Sequence, residues 1–127
     1  MKHPERAEDY LEHIVEAIAR VTNYPQVMLD FADFERDERT RDAVVRNLEI
    51  IGEAANQLRT MSPDFIVRHP ELPWIEMRGM RNKIIHNYFD VDWSVVWDTA
   101  NNDLPGLKQQ IENLLTGLRG GHDEPAA

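Results

Sequence analysis

At 127 residues, 42% of them hydrophobic and 29% charged, the chain has the size and make-up of one globular domain and is too short for two. A formal net charge of −9 excludes a surface that attracts polyanions everywhere, so any nucleic-acid site has to be local. The absence of cysteine excludes disulfides and thiolate chemistry and leaves His, Asp and Glu as the available metal ligands, and no apolar run approaches the roughly 20 residues of a membrane span.

The N-terminus, Met1-Lys2-His3-Pro4, leads into charged helix without an apolar leader, so the chain is expected to stay in the cytoplasm. Leu11, Ile14, Val15, Ile18 and Ala19 recur at three- and four-residue spacing, which predicts an amphipathic helix from Glu5 to about Val21. Asn23-Tyr24-Pro25 ends it. Gln26 to Phe34 is read as a short helix or an irregular packing segment, and the charged run Asp33 to Asp42 as a solvated connection and first helical turn.

Thr40 to Arg59 has the strongest helical pattern, with Ala43, Val44, Leu48, Ile51, Ala54, Ala55 and Leu58 on one face. Gly52 in mid-helix is costly unless another element approaches closely, and close helix packing is the expected reason. Ser62-Pro63 offers an N-cap and a proline at the first helical position, predicting a short helix to Arg68. Pro73 starts a further helix through Trp74, Met77, Met80, Ile84 and Ile85 to the vicinity of His86 or Tyr88, and Asp90-Val91-Asp92 breaks it. From Trp93 another stripe runs to Pro105, where a kink or restart is expected, and continues to Gly120-Gly121. No repeat or strand-type alternation is visible. The expected architecture is all-α, an up-and-down bundle of four to five main helices spanning residues 1–119, with a flexible tail at 120–127.

Usable chemistry concentrates in Arg78-Gly-Met-Arg81-Asn82-Lys83-Ile-Ile-His86-Asn-Tyr88-Phe89. From Arg59 to Tyr88, Arg59, Arg68, Arg78, Arg81 and Lys83 outnumber Asp64, Glu71 and Glu76, a local balance of +2 in a −9 chain. On a helix Asn82 and His86 share one face and Arg81, Ile85 and Tyr88 a neighbouring one, so Arg81 and His86 are not stacked. Their heads converge only through arginine's length or through a second copy of the chain. An imidazole with a reference pKa of about 6.5 can take a proton from a ribose 2′-hydroxyl or give one to the leaving oxygen. Arg81 can hold the phosphate, Asn82 can orient imidazole or substrate, and no metal is needed. The structural alternative is that basic residues in a last helical turn meet the helix dipole and its free carbonyls. Trp74, Trp93 and Trp97 read as packing before base stacking. Glu49 and Glu53 can line the cleft through Gly52, with a solvated face as the default. His3, His13, His69 and His122 show no metal-ligand spacing.

Arg81-Asn82-Lys83-Ile84-Ile85-His86-Asn87-Tyr88 resembles the Arg-x4-His-x-Tyr signature of the HepT-like toxins of the HEPN superfamily. The likeness extends through Val44-Val45-Arg46-Asn47-Leu48-Glu49-Ile50-Ile51-Gly52-Glu53-Ala54-Ala55, Pro73-Trp74, Arg78-Gly79-Met80, Val96-Trp97 and Asn102-Asp103-Leu104-Pro105, roughly Ala7 to Leu118. The resemblance implies the helical toxin of a type VII toxin–antitoxin system, a homodimeric endoribonuclease without metal or other cofactor. In such proteins the motifs of two protomers face each other across the dimer cleft. Arg81 would then contact phosphate, His86 would act as acid or base, and Asn82, Arg78 and Lys83 would support substrate binding. Tyr88 takes the position that an MntA-like nucleotidyltransferase antitoxin modifies with AMP, blocking RNA, and the antitoxin is expected to join a larger assembly. The alternative within the superfamily is a non-catalytic helical module that binds a nucleotidyltransferase and nucleotide. No membrane partner is expected.

Overall fold

The computed structural model describes residues 6–24, 30–87 and 90–123, and of residues 86, 87 and 121–123 only the backbone. Eight α-helices occur in it: α1 Ala7–Thr22, α2 Phe31–Arg36, α3 Glu38–Met61, α4 Pro63–Arg68, α5 Trp74–Arg78, α6 Met80–Ile84, α7 Trp93–Asp98 and α8 Leu104–Asp123. A two-stranded antiparallel ribbon, β1 Ile85–Asn87 and β2 Asp90–Val91, lies between α6 and α7, and a π-helical turn, Thr99–Asp103, joins α7 to α8. The all-α expectation holds, with the ribbon as a small addition.

The long helix α3 is the centre of the fold, with α1, α2, α4, α5, α6 and α7 all packed against it. Its 24 residues make a rod of about 36 Å at 1.5 Å per residue. Val44, Leu48, Ile51, Ala55 and Leu58 are fully buried in one cluster with Leu11, Ile14, Ile18 and Val21 of α1 and Leu104 and Ile111 of α8. Each large apolar side chain removed from water contributes about 1.5–3 kcal/mol, so this one cluster supplies the main stabilising term. A polar bridge crosses the core: buried Asn47 accepts from Arg20 Nε at 2.8 Å and donates to Tyr24 Oη at 3.3 Å and the Ala43 carbonyl at 2.9 Å. At Gly52 an added Cβ would stand 3.1 Å from the Met77 carbonyl oxygen, the close helix approach that a glycine in mid-helix predicts.

Helix starts follow local chemistry. Asp30, Asp37 and Asp92 accept from the backbone N–H three residues on, at 2.9, 3.1 and 3.2 Å, capping α2, α3 and α7. Ser62 precedes Pro63 as expected but makes no side-chain cap bond. In the Gln26–Phe34 segment α2 begins at Phe31, and residues 25–29 lie outside the described ones. The charged run is only partly a solvated connection, because Arg41 turns inward and its guanidinium sits 4.4 Å from the Trp93 ring centre. The tryptophans pack: Trp74 is buried with Nε1 donating to the His69 carbonyl at 2.8 Å, and Trp93 and Trp97 meet Phe34 and Phe31 edge-on.

Two expected helix boundaries differ. The helix from Pro73 is divided at Gly79 into α5 and α6 and ends at Ile84, short of His86. Ile84 and Ile85 are β-branched and favour extended backbone, and the Asp92 N–H donates to the Ile84 carbonyl at 2.8 Å while Ile85 pairs with Val91. At Pro105 the expected restart is seen: the α-helical pattern of α7 gives way to the π-turn and resumes at Leu104, with Pro105 in the first turn of α8. Its ring would meet the carbonyl four residues back in a regular helix, and the π-turn widens the preceding turn, with the Leu104 N–H donating to the Thr99 carbonyl. Helix α8 runs through Gly120 and Gly121 to Asp123, its last turns tied to α1 where Arg119 meets Glu12 at 2.9 Å and Glu8 at 3.6 Å. Residues 124–127 of the expected tail lie outside the described ones.

Candidate active site

The core stripe of α3 has a polar neighbour at the same spacing. Asp42, Val45, Arg46 and Glu49 occur at i, i+3, i+4 and i+7 and so share one face of the helix. The approach at Gly52 seats the end of α5 on α3, and α6 packs against the same helix, which brings Arg81 over this face. The result is a groove of about 510 Å³ lined by Arg41, Asp42, Val45, Arg46, Glu49, Arg81, Ile85, Val91 and Trp93. Three guanidinium groups face two carboxylates in it.

Arg81 Nε donates to Glu49 Oε2 at 3.1 Å across 32 residues of sequence. Arg81 is half exposed and Glu49 one-third exposed, so the pair is solvent-screened and its importance is directional. One edge of the guanidinium is occupied, and the Nη1/Nη2 edge has no partner among the described residues. That remaining fork matches two oxygens of a phosphate. Arg41 is committed to the Trp93 ring and stands 3.9 Å from Glu38, whereas Arg46 is exposed and forms no ion pair among the described residues.

The other sequence-predicted residues distribute as follows. Asn82 and Lys83 are exposed on α6, and Lys83 lines a different cavity, of about 640 Å³, with Glu76, Asn102, Asp103 and Gln110. Arg78 is half-buried in the last turn of α5, its Nε buried without a hydrogen-bond partner among the described residues. The His86 backbone belongs to β1, directly after Ile85 of the groove, and its side chain lies outside the described residues, as does Tyr88 entirely. Because His86 stands on a strand and not on the helix of Arg81, helical misalignment of the two gives no argument for a site completed by a second chain. Glu53 faces solvent and accepts from Gln57 Nε2 at 2.7 Å, leaving Glu49 as the acidic residue of α3 that meets the motif. Sequence reasoning gave Arg41 and Arg46 no role in the site and read Trp93 as packing, yet all three line this groove. The second stripe on α3 was the available signal, but nothing local shows which element covers it.

Among the described residues no group of three or more His, Asp or Glu is arranged to hold a metal ion, and no helix is long and apolar enough to cross a membrane.

A helical bundle built round one central helix, with an Arg-x4-His segment leaving it through a short ribbon, defines an all-α protein of the HEPN superfamily. The chain belongs to the ribonuclease HepT-like family, whose model matches residues 7–114. It is 47% identical over 106 residues to a protein of Thermococcus cleftensis named "Probable ribonuclease HepT", covering 84% of this chain and 93% of the relative. It is 38% identical over 110 residues to a protein of Caldanaerobacter subterraneus subsp. tengcongensis that carries an RNase name, covering 84% and 91%. A third relative with an RNase name, from Methanocaldococcus jannaschii, is 33% identical over 111 residues, covering 87% and 88%. No solved structure gives a significant match.

Proposed function

We propose that this ribonuclease HepT-like protein is the toxin of a type VII toxin–antitoxin system and cleaves RNA without a metal at a site built on Arg81 and His86. Family membership and the relatives' names support ribonuclease chemistry. The observation that carries the Arg81 assignment is its fork, held at one edge by Glu49 and without a partner among the described residues at the other, in a groove lined also by Ile85; His86 is assigned from the family signature, as the residue that follows Ile85 in β1.

In this reading the Nη fork of Arg81 takes the scissile phosphate and stabilises the charge that develops on its oxygens. The His86 imidazole removes the proton of the ribose 2′-hydroxyl, whose oxygen bonds to the adjacent phosphorus as the bond from phosphorus to the 5′-oxygen breaks, and the departing 5′-oxygen takes a proton from water. The products are a 2′,3′-cyclic phosphate and a 5′-hydroxyl. Asn82, Arg78 and Lys83 support binding around the phosphate, and a second protomer supplies the opposing motif in a homodimer. Regulation acts at Tyr88: its phenol oxygen bonds to the α-phosphorus of ATP on an MntA-like nucleotidyltransferase, pyrophosphate leaves, and the added AMP places bulk and negative charge where RNA would bind. Such a toxin works in the cytoplasm, within reach of its RNA.

The test is incubation of unmodified protein with RNA in EDTA. Cleavage that disappears in His86→Ala and Arg81→Ala is the expected result. No cleavage, with tight binding to a nucleotidyltransferase instead, would favour the non-catalytic module. Cleavage unchanged in His86→Ala would overturn the site. Intact mass after co-expression with the antitoxin should show additions in steps of AMP that vanish in Tyr88→Phe.

A further inference from the structure

The groove beside Arg81 holds more cationic chemistry than one phosphate contact uses. Arg46 lies three residues before Glu49 on the same face of α3, so Arg46, Glu49 and Arg81 follow one another along one wall. Glu49 is engaged with Arg81, and Arg41 is engaged with Trp93, which leaves Arg46 as the exposed cation of the groove without an ion pair among the described residues. The charged head of an exposed arginine is available to solvent and ligand, and a chain of net charge −9 gains RNA attraction only from such local positions. Building on the ribonuclease reading, we propose that Arg46 forms a second phosphate subsite, binding the RNA backbone next to the phosphate held by Arg81. Asp42, four residues earlier on the same face and also exposed, opposes an anion there and tempers the subsite's affinity.

Anisotropy of a fluorescein-labelled single-stranded RNA, titrated in EDTA with His86→Ala protein at several KCl concentrations, tests the assignment. Adding Arg46→Ala should raise Kd about tenfold and lower the slope of log Kd against log salt by about 0.7, one single-strand phosphate contact. Arg46→Lys should recover most of the loss, and Asp42→Asn should tighten binding. Arg119→Ala, the same charge change on α8 at a residue that pairs with α1 and does not line the groove, should alter neither quantity. In the catalytic background Arg46→Ala should raise KM with kcat within about twofold, the sign of uniform binding lost. If the parent binds RNA and Arg46→Ala behaves like Arg119→Ala, the subsite is overturned and the ribonuclease reading stands. If the parent neither binds nor cleaves RNA, the ribonuclease reading fails and the subsite falls with it.

Discussion

At Arg81 one hydrogen bond of 3.1 Å to Glu49 fixes which edge of the guanidinium faces the groove. The pair is part-exposed, so its loss should cost little stability, within about 0.5 kcal/mol. The effect belongs to positioning: Glu49→Ala should lower kcat on the order of tenfold by letting the fork swing, while Glu49→Gln, which keeps an acceptor for Nε–H, should recover much of it. Single-turnover cleavage rates check this, and equal losses in both variants would mean that charge and not orientation matters. Asn47 illustrates the opposite case, a polar residue whose value is structural. Asn47→Ala removes its bonds to Arg20, Tyr24 and the Ala43 carbonyl at the α1–α3 interface and should cost about 1–3 kcal/mol in urea unfolding. Sequence offered Glu49 as a residue that can line the cleft, but its bond to Arg81, like those of Asn47 to Arg20 and Tyr24, joins residues more than 20 positions apart and needed the structure to appear.

At the scale of elements, the contact between α3 and α5 places the motif. Gly52→Ala would gain about 1 kcal/mol of helix propensity, yet its Cβ would press on the Met77 carbonyl at 3.1 Å, an atom fixed in the turn that ends α5. Overpacking against backbone typically costs about 1–3 kcal/mol, so net destabilisation of about 1 kcal/mol is expected, with a loss of activity as α5 and α6 shift. A thermal melt showing stabilisation would refute the tight approach. Glycine's cost made this packing legible in advance, as the three- and four-residue stripes made α1 and α3 legible. The ribbon was not: Ile84 and Ile85 fit a buried helical stripe as well as a strand, and only pairing with Val91 and the Asp92 N–H decides. Pro105, by contrast, was legible, since the π-turn before it and the start of α8 at Leu104 are the restart that its missing donor predicts.

For the whole molecule, one hydrophobic cluster around α3 holds the elements together, and Ile51→Ala at its centre should cost about 2–5 kcal/mol. The site sits at the edge of that cluster, on the polar face adjoining the buried stripe, so the scaffold and the groove share a helix. Helical periodicity made the fold class readable, and the net charge of −9 restricted any RNA site to a local patch. The motif residues drew attention to themselves in sequence, whereas the groove around Arg81 is built by α3, α6, the ribbon and α7 together and needed the tertiary structure to appear.

The central claim is cleavage by the RNA's own 2′-hydroxyl without a metal. It is tested most directly with a DNA oligonucleotide carrying a single ribonucleotide inside a sequence the protein cuts, incubated in EDTA. The account predicts one cut, on the 3′ side of that ribonucleotide, leaving a 2′,3′-cyclic phosphate, and none when the ribose is 2′-O-methylated. A cut that survives methylation, or that appears only when a divalent metal is restored, would contradict it.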